Sequence, residues 1–224
     1  MSRYVVVDFE TYPVNGKSLI MEIGCCEVIN GEVGKTWETL VKPIAPVSEF
    51  VLNLTGINPD ALETAPSFID VLDQFKSFIG TSTIIAHNAN LDRSCYEHQL
   101  SQINIQAPSF NWVDSQDILR LTIPTIQSLQ LQSLLNDYGF VQENEHRALS
   151  DALGLSLLLI HITSTTTINL SKVEQEFLKK SNQSSVQTLL DWINDNISIT
   201  TVTPRKLTKT KQQKPTINNP SMPI

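Results

Sequence analysis

The sequence predicts an α/β fold: a mixed five-stranded sheet, with a three-stranded antiparallel meander plus parallel strands, flanked by helices. Three observations predict it. A run of apolar, strand-forming residues opens the chain. Asn30-Gly31 joins two further strand-like runs, the strongest short-range hairpin signal. Beyond them, helical and strand patterns alternate, which calls for parallel strands covered by helices.

The first strand covers residues 4–11, YVVVDFET. Residues 12–17, with Pro13, Asn15 and Gly16, read as a loop. Residues 18–29 form the second strand and residues 32–41 the third. Pro43 and Pro46 end the meander. Residues 48–54 read as a short helix stopped at Thr55-Gly56. Ser67 caps a helix over 68–79, where Phe68, Val71, Leu72, Phe75, Phe78 and Ile79 follow the i, i+3, i+4, i+7 rule. Residues 83–87 form a fourth strand, 91–100 a helix, and residues 110–113 start a fifth strand. Residues 126–138 read as an amphipathic helix ended by Gly139, and residues 148–162 as a long apolar one. A capping box, Ser171 to Glu174, announces another helix. A last one starts at Ser184 or Ser185 and runs through Trp192 and Ile193.

The chain of 224 residues is 41% hydrophobic and 17% charged, enough apolar content for a real core. Mean hydropathy is −0.07, and no apolar run is read as long enough to cross a bilayer. The first residues lack the shape of a secretory signal, so a cytoplasmic protein is expected, with no membrane partner. Cys25, Cys26 and Cys95 cannot all pair and show no zinc spacing, so they read as buried thiols. Net charge is −7, unlike a generic nucleic-acid binder. The charge is uneven. Residues 200–224 hold five basic residues and no acid, leaving 11 basic against 23 acidic residues before them, a net of −12. Three regions are expected: a catalytic domain over 1–165, a helical C-terminal extension over 166–199, and a basic disordered tail over 200–224.

Chemistry concentrates in three stretches. At the end of the first strand, Asp8 and Glu10 alternate onto one face. Two neighbouring carboxylates repel, so either a positive group sits between them or one is protonated. A divalent cation is the simplest resolution. The second stretch, HNANLD, carries His87 and Asp92 from a strand end into a helix. An acid there also suits the helix dipole alone. The third, HRALSDA, carries His146 and Asp151. Asp151 shares a helical face with Leu155, Leu158, Leu159 and Ile162, so it points inward, where an unpartnered acid is costly. His146 lies five residues earlier, about 140° away on a continuous helix. It is better placed in the loop before the helix, reaching over the site to take a proton. His87 reads as a brace for the turn, and His98 and His161 as surface or satisfied core residues.

Together and in order, these motifs resemble the DEDD exonuclease superfamily, histidine subgroup (DEDDh, DnaQ-like): Asp-x-Glu, then Asp, then His-x-x-x-x-Asp. MEIGCCEV (residues 21–28) and LTGI (residues 54–57) are similar to landmarks of the proofreading epsilon subunit of DNA polymerase III and its relatives. Residues 3–163 carry the likeness. Leu91 stands where relatives often have Phe, and Ser150 where an acid is common. Neither removes a ligand. Residues 114–121 resemble a family segment with one aspartate, and both Asp114 and Asp117 fit it.

The resemblance implies an RNase H-like fold and 3′→5′ exonuclease activity that releases 5′-mononucleotides; the leading expectation is a DNA substrate, taken as single-stranded. Asp8, Glu10, Asp92 and Asp151 would hold two Mg²⁺ or Mn²⁺ ions, and His146 would be the general base. Backbone at Phe9 and Thr11 would hold the terminal nucleotide, with Leu54 and Thr55 at its base. Leu54 in plain core packing is the alternative. The basic tail would touch phosphates, form a solvated linker or dock a polymerase or other protein. Competing readings are an exoribonuclease of the same superfamily, a catalytically idle nucleic-acid- or polymerase-binding module, and a metal-free structural domain.

Overall fold

The computed structural model describes residues 2–123, 125–142, 144–168 and 183–199. Strand β1 (Arg3–Val14) turns at Asn15-Gly16 into β2 (Lys17–Ile29), which turns at Asn30-Gly31 into β3 (Glu32–Leu40). All four turn residues have positive φ, between 51° and 80°, the geometry a two-residue hairpin needs and Asn-Gly accepts. The first hairpin replaces the loop expected over 12–17. Its proline is tolerated because β4 (Thr83–Ala86) pairs only with residues 4–6 of β1, leaving the far half of β1 with an open edge. β4 runs parallel to β1, and β5 (Trp112–Asp114) parallel to β4. The order is β3-β2-β1-β4-β5, the expected meander plus parallel strands.

Helices α1 (Glu49–Thr55) and α3 (Phe68–Ile79) start where Ser48 and Ser67 predict, Ser67 forming a capping box with Asp70. Helix α2 (Pro59–Thr64) escaped the sequence reading because six residues are too few for a periodic signal. Asn58 caps it and Pro59 opens it. Helix α4 (Ala89–Gln102) begins two residues before the expected start, behind a left-handed Asn88. Helix α5 (Ser115–Thr122), capped by Asp114, was not anticipated. The helix expected over 126–138 shrinks to α6 (Leu131–Asp137), because Ile126 and Leu129 pack from irregular backbone into the same apolar cluster as Leu134 and Leu135. Helix α7 (Ala148–Thr165) follows. A short parallel pair, β6 (Thr167–Ile168) and β7 (Ser198–Ile199), flanks α8 (Gln183–Asn196). The capping box at Ser171 and the tail over 200–224 lie outside the described residues.

Alternation along β1 sorts the core into two layers. Val5, Val7 and Phe9 face α3 and α4, around the fully buried Phe75. Tyr4 and Val6 face α7 and α8, with Ala152, Leu155, Leu159, Trp192 and Ile193. Trp192 meets the Tyr4 ring edge-on at 5.5 Å. The described part of residues 166–199 thus shares one core with the sheet. Asp8 and Glu10 continue the Tyr4–Val6 row, on the α7 side. By length and composition α7 could span a membrane, at a mean hydropathy of 1.4 over 18 residues, which corrects the expectation that no run would. Its apolar face is packed on the sheet and α6. Cys25, Cys26 and Cys95 are buried and unpaired.

Candidate active site

The site forms where β1 runs out from under α7. In the β1–β2 ladder Asp8 faces Gly24 and Glu10 faces Glu22. A Cβ on Gly24 would stand 2.1 Å from the carbonyl carbon of Ala148, so only glycine lets the first turn of α7 settle on the strand. Asp151 closes that first turn, its N–H donating to the Arg147 carbonyl at 2.9 Å. The result is a group of three half-buried carboxylates. Oxygens of Asp8, Glu10 and Asp151 all lie within 4.8 Å of one another.

Asp92 comes from α4, on the other face of the sheet. It is 8% exposed and accepts the backbone N–H of Phe9, next to Asp8. It lies outside the group of three mutually close acids, yet close enough to Asp8 for its charge to disfavour that of Asp8. Just beyond Glu10 the ladder slips, leaving Met21 unpaired in β2. The buried Gln99 of α4 accepts the Ile20 N–H there at 3.0 Å. The bulge thereby ties the Asp92 helix to the strand pair that carries Asp8 and Glu10.

Burial and mutual repulsion push the carboxylates toward their neutral forms. Burial is the largest cause for each. Asp8 is raised well above the usual range by burial, then by Asp92, Asp151 and Glu10. Glu10 is raised to about 7 and Asp92 to about 7. Asp151 is also raised by burial, which a Gln142 hydrogen bond and His146 oppose. This is the electrostatic state of a donor set built for a cation. All ligands are hard oxygens, and the guanidinium that reaches the cluster, Arg147, is engaged elsewhere.

A second layer holds the first. Gln142 donates to Asp151 Oδ1 at 2.8 Å and to the Ser150 carbonyl at 2.9 Å. Glu22, 1% exposed, receives the Arg147 Nε and Nη2 groups at 3.0 and 2.6 Å and the Ala148 N–H at 3.0 Å. His146 is exposed in the turn before α7, with a left-handed φ of 58°. It sits beside Asp151, as the angular argument required, and its backbone supports that carboxylate. His87 braces the start of α5 and the segment before α6. One ring nitrogen meets Ser115 Oγ at 2.8 Å and the other the Leu129 carbonyl at 2.5 Å. Burial lowers its proton affinity, as befits a neutral strut.

The remaining candidates scatter. The Phe9 side chain is core, 6.0 Å from the Phe75 ring, so only its backbone faces the site. Thr11 is half-buried just past the bulge. Leu54 is 46% exposed at the end of α1, which removes the core-packing alternative for it. Thr55 is buried, and its hydroxyl donates to the Val51 carbonyl at 3.0 Å. Asp114 and Asp117 are told apart. Asp114 accepts the N–H groups of Asn88 and Gln116, while Asp117 pairs with Arg120 on the surface. Glu22, Gln99 and Gln142 escaped the sequence reading. Of the three, Glu22 carried a signal there, an acid between the apolar residues Met21 and Ile23 of a strand.

Comparison with known proteins agrees with the geometry. The exonuclease family model (RNase T type) matches residues 5–158. A DNA polymerase III of PolC type from Halalkalibacterium halodurans is 28% identical over 167 residues, 74% of this chain and 12% of the relative. The 3′-5′ exonuclease DinG of Staphylococcus aureus is 30% identical over 164 residues, 71% of this chain and 18% of the relative. The chain thus spans less than a fifth of the length of these curated relatives. Among solved structures, Exonuclease X in complex with 5′ overhanging duplex DNA superposes with a TM-score of 0.59 at 25% identity, covering 74% of this chain and 92% of that one. The nuclease domain of 3′hExo, a DEDDh family member bound to rAMP, superposes at 0.65 with 18% identity, covering 73% and 92%.

Proposed function

The chain belongs to the exonuclease family, and on that premise we propose that it hydrolyses nucleic acid from the 3′ end, with single-stranded DNA as its substrate and 5′-mononucleotides as products. The observation that carries this reading is the Asp8–Glu10–Asp151 group, whose oxygens lie within 4.8 Å of one another. Asp8, Glu10, Asp92 and Asp151 would hold Mg²⁺ or Mn²⁺, two ions in this reading. Bound divalent ions supply positive charge to the scissile phosphate and make water a better nucleophile at neutral pH.

The chain's own residues do the rest. His146, in its exposed turn before α7, accepts the proton of the attacking water on its imidazole. Backbone at Phe9 and Thr11 seats the terminal nucleotide. Leu54, apolar and exposed, lies against the last base, with Thr55 behind it. DNA is preferred over RNA on the strength of the PolC-type and DinG relatives. The same relatives favour a DNA repair or proofreading duty and a polymerase partner in this reading, and a cytoplasmic location is part of the proposal. In this reading residues 1–165 carry the catalytic domain, 166–199 a C-terminal extension, and the basic residues of 200–224 touch phosphates or that partner.

The test uses 3′-ended DNA and RNA oligonucleotides side by side with Mg²⁺, Mn²⁺ or EDTA. Metal-dependent shortening from the 3′ end, faster on DNA and lost in Asp8→Ala, is the expected result. Shortening that survives EDTA or Asp8→Ala refutes the reading, and faster shortening of RNA moves the substrate to the ribonuclease alternative.

A further inference from the structure

The Glu22 carboxylate is hydrogen-bonded to the start of α7, at Arg147 and at Ala148. Arg147 approaches it with two guanidinium nitrogens, and the Ala148 N–H, an orphan donor of the helix start, reaches its second oxygen. Glu22 is the ladder partner of Glu10, and two residues away Gly24 is the partner of Asp8. So β2 presents to α7 a smooth spot beside Asp8 and an anchor beside Glu10. The first turn of α7, with His146 before it and Asp151 at its end, is gripped at both.

We infer that Glu22 is a positioning residue: by holding Arg147 and the Ala148 N–H it sets the distance from Asp151 to Asp8 and Glu10, and thereby the affinity of the acidic cluster for a divalent cation. A two-point charged anchor fixes both translation and rotation of a helix end, where apolar packing alone tolerates sliding. Arg147 serves a second purpose. It engages the one buried acid beside Glu10 that the cluster does not use, so that Glu22 is held away from the cation. The inference rests on the proposed metal site but makes a separate demand, that a residue outside the ligand set governs its affinity.

The experiment measures Mn²⁺ affinity of the full chain by electron paramagnetic resonance, together with kcat and KM on a 3′-ended DNA oligonucleotide. The variants are Glu22→Ala and Glu22→Gln, the latter keeping an acceptor for the Ala148 N–H. Loss of a group that orients ligands weakens metal binding by roughly 10-fold or more. Glu22→Ala is expected to show that loss, with kcat reduced at limiting Mn²⁺ and KM for DNA unchanged. Glu22→Gln is expected to fall between it and wild type. A purely structural Glu22 would lower the melting temperature and leave the Mn²⁺ affinity of the folded protein as it was. That outcome in Glu22→Gln, even were Glu22→Ala unable to fold, overturns the inference while the nuclease reading stands. Absence of Mn²⁺ binding in the wild-type chain overturns both.

Discussion

Asp8 and Gly24 face each other across the β1–β2 ladder, and the missing side chain of one places the helix that completes the site of the other. Gly24→Ala would drive a methyl group into the Ala148 backbone. Backbone cannot rotate away as a flexible side chain can, so α7 must lift. We expect a loss of about 1–3 kcal/mol in urea unfolding, and a fall in nuclease activity larger than the folded fraction explains. Activity that simply tracks the folded fraction would show that α7 can shift without disturbing the site.

The acidic cluster makes a prediction about pH. Glu10 and Asp92 are each raised to about 7, and Asp8 and Asp151 are also raised, in the folded chain without cation. Unfolded carboxylates titrate near ~4. Between these values the folded state binds more protons than the unfolded one, so stability falls as pH rises through the folded values. In EDTA the melting temperature should therefore be higher at pH 5 than at pH 8, by roughly 5 °C. Mg²⁺ or Mn²⁺ at pH 8 should close the gap. Asp8→Asn should narrow it without metal while abolishing cleavage. Melting curves in EDTA that are flat or rising across this range would contradict the electrostatic picture.

His146 stands outside the group of close carboxylates, in the turn before α7. Its removal should therefore separate catalysis from metal binding. His146→Ala is expected to lower kcat by about 10²–10⁴-fold, with Mn²⁺ affinity close to wild type. A large loss of Mn²⁺ affinity in this variant would reassign His146 to the ligand set.

Trp192 is 4% exposed and packs on Tyr4, two pleat repeats before Asp8 in the same row of β1. Trp192→Ala should destabilise the protein by about 3–5 kcal/mol. A chain cut after residue 165 should melt lower still, since Tyr4 and Val28 lose Leu189, Trp192, Ile193 and Ile197 from their shared core. If the cut chain melts as the full one does, α8 is an appendage and not a part of the folding unit.

Much of this was legible in the residues because the signals were local. Asn-Gly marks a hairpin by its tolerance of positive φ, and Asn30-Gly31 was read so. Asn15-Gly16 carried the same signal but was outweighed by Pro13, whose harmlessness depends on how far β4 extends. Helices α2 and α5 were missed because their short lengths hold too little periodicity. The reach of 126–138 was overestimated because apolar spacing does not distinguish a helix from irregular chain packed on one.

The site divides along the same line. Asp8 and Glu10 on one face follow from the two-residue period of a strand, and Asp151 pointing inward follows from the helical spacing of Leu155, Leu158 and Leu159. These are properties of single elements, and the sequence by itself determined them. That Asp8, Glu10 and Asp151 converge within 4.8 Å while Asp92 approaches from the other face was decided only by tertiary structure. So were the grip of Glu22 on Arg147, the brace of Gln142 on Asp151 and the close approach at Gly24. Each is a contact between elements distant along the chain. Its geometry is set by how whole faces pack, which no local period encodes.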